Sequence, residues 1–138
     1  MKVLIIAPHR DDEILGCGGT IAKYIEEGHF VYICYATYGK EPLFSKELSE
    51  KVVQEAEKCH EYLGITKTFN LPFAAAMLDT VEKYKLNEAL FKVLLEVKPD
   101  IVYIPHYGDM HTDHQIIADA SMVILRPIQE FKIQEVYS

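Results

Sequence analysis

Two stretches of this chain gather imidazoles and carboxylates at spacings that suit a metal ion. The first is Pro8-His9-Arg10-Asp11-Asp12-Glu13, and the second is His106-Tyr107-Gly108-Asp109-Met110-His111-Thr112-Asp113-His114. A catalytic zinc ion takes three protein ligands, often a mixture of His and carboxylate, and keeps one position open. His9 and Asp12 are separated by two residues, a spacing that a tight turn folds onto one ion, and His114 would complete the set from the second stretch. Asp11 would then stand beside the metal without binding it, placed as general base for an attacking water. His111 would stabilise a developing oxyanion or protonate a leaving group. Asp113 would fix the tautomer of His111 or of a ligand histidine.

Each stretch alone also has a plain structural explanation. His-x-x-Asp after a strand is commonly a capped turn, and His-x-Asp-His fits a helix start with Asp113 as the cap. The chemistry depends on convergence, and convergence depends on the elements that carry the two stretches. The apolar runs Val3-Leu4-Ile5-Ile6 and Ile101-Val102-Tyr103-Ile104 come just before them. Near-continuous apolar strands are covered on both faces, as in a parallel sheet.

The rest of the chain alternates β-rich runs with helical periods. Strands are expected at 2–7, 30–37, 67–71, 101–105 and 132–137. A helix at 15–27 would turn Ile14, Ala22 and Ile25 inward and stop at Gly28. After a loop from Tyr38 to Pro42, a second helix carries Leu48, Val52, Ala56, Cys59 and Leu63 on one face up to Gly64. A loop covers 72–78. Asp79 and Glu82 resemble a capping box for a third helix with the stripe Leu86, Leu90, Val93 and Val97, and a fourth helix spans 114–125 up to Pro127. This pattern predicts an α/β fold with a mainly parallel central sheet. The doubly wound strand order 3-2-1-4 sets the first strand beside the one at 101–105, so both polar stretches face one crevice at the carboxyl edge.

A chain of 138 residues with 49% hydrophobic content supports one domain over 1–138. Its net charge of -7 argues against nucleic acid or an anionic membrane as partner. Cys17, Cys34 and Cys59 read as buried thiols of a reduced compartment. No run reaches the ~18 apolar residues of a membrane span, so a soluble, cytoplasmic protein is expected. Gly16-Cys17-Gly18-Gly19 lies beyond the turn that a phosphate loop would occupy, and close packing of the first helix is the expected reason for it. His29 and His60 read as structural or exposed, His106 as solvated, and Glu13 as an ion-pair partner or a support behind the ligands. Phe73 to Leu78 would line a pocket or a contact between copies in a homo-oligomer.

At these residues the sequence resembles the PIG-L/LmbE-like family of zinc-dependent N-deacetylases. Pro8-His9-Arg10-Asp11-Asp12-Glu13 matches its A-H-P-D-D-E signature, and His111-Thr112-Asp113-His114 its H-x-D-H signature. Asp109, Thr37-Tyr38-Gly39, Glu55-Ala56 and Leu63-Gly64 also match. The resemblance implies a Rossmann-like three-layer sandwich and removal of an acyl group from an amino-sugar conjugate, such as an N-acetylglucosaminyl compound. It implies Zn2+ on His9, Asp12 and His114, with Asp11 as base, His111 as oxyanion stabiliser and Asp113 as the acid that orients a histidine. Arg10 stands where the family has proline; it either faces solvent or meets an anionic substrate group. Family members continue past the position of Ser138, so the resemblance implies a complete metal centre with a shortened specificity region. Two other functions fit the same residues: a metal hydrolase acting on another amide or a phosphoester, and an incomplete metal- and sugar-binding domain without useful catalysis.

Overall fold

The computed structural model describes residues 1–138. Its elements run β1 (Lys2–Ala7), α1 (Asp12–Glu26), β2 (Phe30–Tyr38), α2 (Lys46–Leu63), β3 (Lys67–Ala74), a 3-10 turn at Leu78–Thr80, α3 (Lys83–Val97), β4 (Ile101–Tyr103), α4 (Thr112–Ile124) and β5 (Glu135–Tyr137). The five strands form one sheet in the order β3-β2-β1-β4-β5, and every pair is parallel. Val3 pairs with Ile101 and Ile5 with Tyr103, so β1 and β4 end at the same edge. This is a Rossmann-like α/β sandwich.

Strand periodicity explains the three layers, because successive side chains leave a strand on opposite faces. Leu4, Ile6, Cys34, Ala36 and Val102 meet Leu86, Leu90, Leu94 and Val97 of α3 and Ile117, Ala120 and Ile124 of α4. Val3, Ile5, Ala7, Val31, Ile33, Tyr35 and Ile101 face the other way, against Ile21, Ile25 and Leu63 of α1 and α2. The central strand β1 is therefore buried on both sides, as its unbroken apolar run required. No helix is long and apolar enough to cross a membrane.

Several expectations need correction. The first helix begins at Asp12 rather than Leu15, with Asp12 and Glu13 in its first turn, where acids suit the positive end of the helix dipole. Its buried residues are Glu13 and Ile21, and Ala22 is exposed. Leu48, expected on the inner stripe of α2, is exposed, and His60 is buried on that helix instead. β3 runs on through Pro72 to Ala74, an arrangement open to an edge strand, where a missing N–H is tolerated. Asp79 does not open α3. Leu78 is buried and its N–H is held by Asp113, so the segment closes one 3-10 turn before the helix starts at Lys83. Cys34 is buried, Cys17 and Cys59 are half-buried, and all three are free. Gly16 and Gly19 have no heavy atom within 4 Å of where a Cβ would stand, so close packing does not account for them.

Gly39 differs from those helical glycines. A Cβ there would lie 2.7 Å from Ser49 Oγ and 3.1 Å from Phe44 Cβ. The loop after β2 can approach the start of α2 only without a side chain at this position. Gly39→Ala should therefore destabilise the chain by about 1–3 kcal/mol, the usual size of an overpacking penalty. Urea unfolding would measure it, and an unchanged midpoint would contradict this account of the contact.

Candidate metal centre and active site

The turn after β1 is clamped before it delivers any functional group. Thr37, buried at the end of β2, donates both its backbone N–H (3.1 Å) and its hydroxyl (2.7 Å) to the carbonyl of Pro8. The N–H of His9 then donates to Oδ2 of Asp12 at 2.9 Å, closing the His-x-x-Asp turn onto itself. Asp11, between them, adopts φ 140° and ψ -28°, a conformation L-residues rarely take. Such backbone strain costs about 1–3 kcal/mol. It is held by the Asp11 N–H donating to Glu13 Oε2 at 3.1 Å and by the Asp11 carbonyl accepting from Ile14 and Leu15.

The second stretch forms the entrance to α4. His111, not Asp113, is the N-cap, its Nδ1 accepting the N–H of Asp113 at 3.1 Å. Asp109 accepts the N–H of His111 through Oδ1 at 2.8 Å and Nδ1–H of His114 through Oδ2 at 2.9 Å. Asp113 is 1% exposed, and its carboxylate accepts from Nε2 of His9 (3.0 Å) and from the N–H groups of Ala76 (2.6 Å) and Leu78 (3.3 Å).

These bonds assign the tautomers of the three histidines. With Nε2–H of His9 directed to Asp113 and Nδ1–H of His114 directed to Asp109, the free lone pairs are on Nδ1 of His9 and Nε2 of His114. These two nitrogens are 3.3 Å apart, and Asp12 Oδ2 lies 3.3 Å from the first and 3.2 Å from the second. In the neutral tautomers three lone-pair atoms thus form a nearly equilateral triangle, and a proton added at Nδ1 of His9 would bond it to Asp12. A tetrahedral divalent ion with bonds of about 2.0–2.1 Å has ligand–ligand edges of about 3.3–3.4 Å, which the triangle fits. One nitrogen each from His9, His111 and His114 also lie within 4.8 Å of one another, a looser alternative set. The Asp12 triangle is the better cation site. It has shorter edges and a negative charge, and the Nδ1 bond of His111 leaves its proton on Nε2, making that nitrogen a donor.

Three consecutive acids in this turn titrate differently because their surroundings differ. Burial, together with the charges of Asp12 and Glu13, pushes Asp11 above the usual carboxylate range. For Asp12 burial acts in the same direction, but hydrogen bonds from His9 and the charges of His9 and His114 outweigh it and hold the group low. Glu13 is also held low: burial opposes ionisation, and bonds to His60 and Tyr35 overcome it. His9 itself is raised. Burial lowers it, and the hydrogen bonds and charges of Asp12 and Asp113 more than compensate.

Behind the turn, Glu13 Oε1 lies 3.3 Å from Nε2 of buried His60, which lies 3.0 Å from the Tyr35 hydroxyl. Nδ1 of His60 is 2.8 Å from Thr68 Oγ1. Glu13 therefore connects the strained Asp11 backbone to β2, α2 and β3. His9, Asp11, Asp12, His111, Asp113 and His114, all named from sequence, come together at this edge. His106 stays exposed. Sequence reading noted Asp109 but gave it no role, although a carboxylate five residues before a candidate ligand histidine, across a helix start, was the available signal. Thr37 had been noted only within a loop motif.

A cavity of about 460 Å3, lined by His9, Arg10, Asp11, Asp12, His111 and His114 among others, opens onto the triangle. A second, of about 560 Å3, lies on its other side, and Asp12 and His114 line both.

Residues 4–125 match the family model PIG-L, described as GlcNAc-PI de-N-acetylase. This chain belongs to the PIG-L family. It is 28% identical to the uncharacterized deacetylase YaiS of Escherichia coli over 93% of this chain and 70% of the relative. It is 30% identical to the diacetylchitobiose deacetylase of Thermococcus kodakarensis, over 83% of this chain and 45% of that protein. The solved N,N'-diacetylchitobiose deacetylase of Pyrococcus horikoshii superposes with a TM-score of 0.77 at 28% identity, covering 90% of this chain and 49% of that one. This PIG-L chain thus spans about half the length of the two diacetylchitobiose deacetylases.

The Glu13 network makes a pH-dependent prediction. Because its folded pKa lies below the ordinary 4.5, Glu13 contributes stability that is full above that pH and lost as pH falls through the depressed value. Glu13→Gln should cost about 1–3 kcal/mol near neutrality, where a buried donor loses its charged partner. The stability curves of wild type and variant should then converge on acidification below 4.5. Parallel curves in urea titrations across that range would remove Glu13 as the source.

Proposed function

We propose that this chain carries hydrolytic N-deacetylation of an amino-sugar conjugate, with Zn2+ held by His9, Asp12 and His114. The observation that carries this reading is the triangle of three lone pairs with edges of 3.2 to 3.3 Å, each imidazole backed by its own carboxylate. Paired carboxylate–histidine supports of this kind fix ligand orientation and raise basicity. The names of the three relatives given above, each a deacetylase and two of them named for diacetylchitobiose, support the amide as the bond and the amino sugar as its bearer.

When bound, the ion supplies Lewis-acid polarisation of the acyl carbonyl and lowers the pKa of a water. The chain's own groups do the rest. Asp11, raised in pKa and lining the 460 Å3 cavity, accepts a proton from the attacking water as oxygen adds to the acyl carbon. Nε2–H of His111 donates to the oxyanion that forms, a task for which the Nδ1 bond at 3.1 Å fixes the tautomer. The C–N bond then breaks, and the proton held by Asp11 passes to the departing amine. Acetate and the free amino sugar are the products. Asp113 touches no reacting atom in this scheme; it positions His9.

Metal analysis and single-turnover assays on two variants test the assignment. His114→Ala should lose most of the bound zinc. Asp11→Asn should retain near-stoichiometric zinc while turnover of an N-acetylglucosaminyl substrate falls roughly 100- to 10,000-fold, the usual contribution of a positioned base. Wild-type turnover in Asp11→Asn would exclude Asp11 as the base.

A further inference from the structure

Arg10 occupies the position in the turn between ligand His9 and base Asp11, and the chemistry described above does not use it. Its side chain is nonetheless fixed. Nη1 donates to the carbonyl of Thr37 at 3.1 Å, Nη2 to Oδ1 of Asn70 at 2.7 Å, and Cζ lies 4.9 Å from the centroid of the Tyr35 ring. All three partners are neutral. In a chain with 21 acidic residues, Arg10 makes no ion pair within 4.0 Å of any carboxylate. Glu13 and Glu57 are the acids that act on it through space. Glu13 is already committed to Asp11 and His60, and Glu57 is exposed on α2.

The result is a half-buried, rigidly held guanidinium with two of its five N–H groups used and its charge unanswered. A brace between the turn and the strands needs no charge. A neutral amide could bridge Thr37 and Asn70 without the cost of partly desolvating a cation. Arg10 is also the only Lys or Arg lining the cavity that opens onto the metal triangle. That cavity, at about 460 Å3, has room for more than an acetamido sugar ring, because pockets of about 300–1,000 Å3 take ligands of drug size.

We propose that Arg10 is a specificity-determining residue that binds an oxyanion, carboxylate or phosphate, on the non-reacting part of the amino-sugar conjugate. The preferred substrates are then acidic N-acetylglucosaminyl conjugates rather than neutral glycosides. This rests on the deacetylase reading above. Guanidinium recognition suits both anions, since its fork offers two parallel N–H groups to either.

The test compares zinc-loaded wild type and Arg10→Gln on three substrates: methyl N-acetylglucosaminide, an N-acetylglucosaminide of a hydroxy acid, and N-acetylglucosamine carrying a phosphodiester. Binding of the three is measured in parallel by calorimetry on the Asp11→Asn background. Wild type should favour at least one acidic substrate by roughly 10- to 100-fold in kcat/KM, chiefly through KM, the size expected of a charge-assisted hydrogen bond. The better of the two acidic substrates identifies the anion. In Arg10→Gln the ratio of acidic to neutral substrate should fall toward one. An equal loss on all three would make Arg10 a brace and overturn the proposal, as would a wild type without preference. If no substrate turns over, the deacetylase reading fails, and calorimetry still decides the role of Arg10. Tighter binding of an acidic conjugate that disappears in Arg10→Gln upholds it, and equal or absent binding overturns it.

Discussion

One buried carboxylate ties the site to the fold. Asp113 sits in the first turn of α4, accepts from Nε2 of His9 at the end of β1, and accepts the N–H groups of Ala76 and Leu78 in the connection after β3. Three segments distant in sequence thus meet on two oxygen atoms. The residue is 1% exposed, so each bond forms in a medium where an unpaired donor costs about 1–3 kcal/mol. The packing of the 3-10 turn, the start of α3 and the orientation of His9 are therefore coupled. A shift in any one leaves a polar group unpaired at the centre of the other two.

The same economy of carboxylates runs through the turn after β1. Asp11, Asp12 and Glu13 are adjacent in sequence and carry the same functional group, yet their environments separate them. Asp12 faces two imidazoles and stays low, Glu13 is turned into the His60 and Tyr35 network and stays low, and Asp11, partly desolvated beside two other anions, is raised. Separation of this kind lets one turn hold a cation and move a proton. The backbone strain at Asp11 has the same origin. The peptide must reverse within one residue to send Asp12 toward His9 while Glu13 points behind it, and φ 140° at Asp11 is how it does so.

What the sequence revealed follows from where its signals are strong. β1 and β4 were legible because burial on both faces leaves no polar positions in them, and their adjacency followed from the handedness of parallel crossovers. The convergence of six residues at this edge was legible because His and Asp at strand ends have few structural uses that recur in pairs. Boundaries were less legible where tertiary partners outrank local preference. Asp79 and Glu82 look like a cap, but Asp113 grips Leu78 and postpones the helix. Asp113 looks like a cap, but it turns inward to His9 and leaves His111 to do the capping. Both placements trace to three long-range bonds of Asp113, to residues 9, 76 and 78, that no local window contains.

The supports around the triangle also explain why the histidines lie where they do. Both His9 and His114 direct their N–H to a carboxylate on the side away from Asp12, so the atoms facing one another are all acceptors. Burial lowers the pKa of His9, and Asp12 on one ring nitrogen and Asp113 on the other more than compensate, so its pKa is raised. Under the proposed function, a cation and a proton would compete at Nδ1 of His9. The three acceptors are held together by the rest of the chain, through Asp109, Asp113 and the Thr37 clamp on Pro8. Acceptors held in place in this way would need little reorganisation to receive a cation at the edge where β1 and β4 end together.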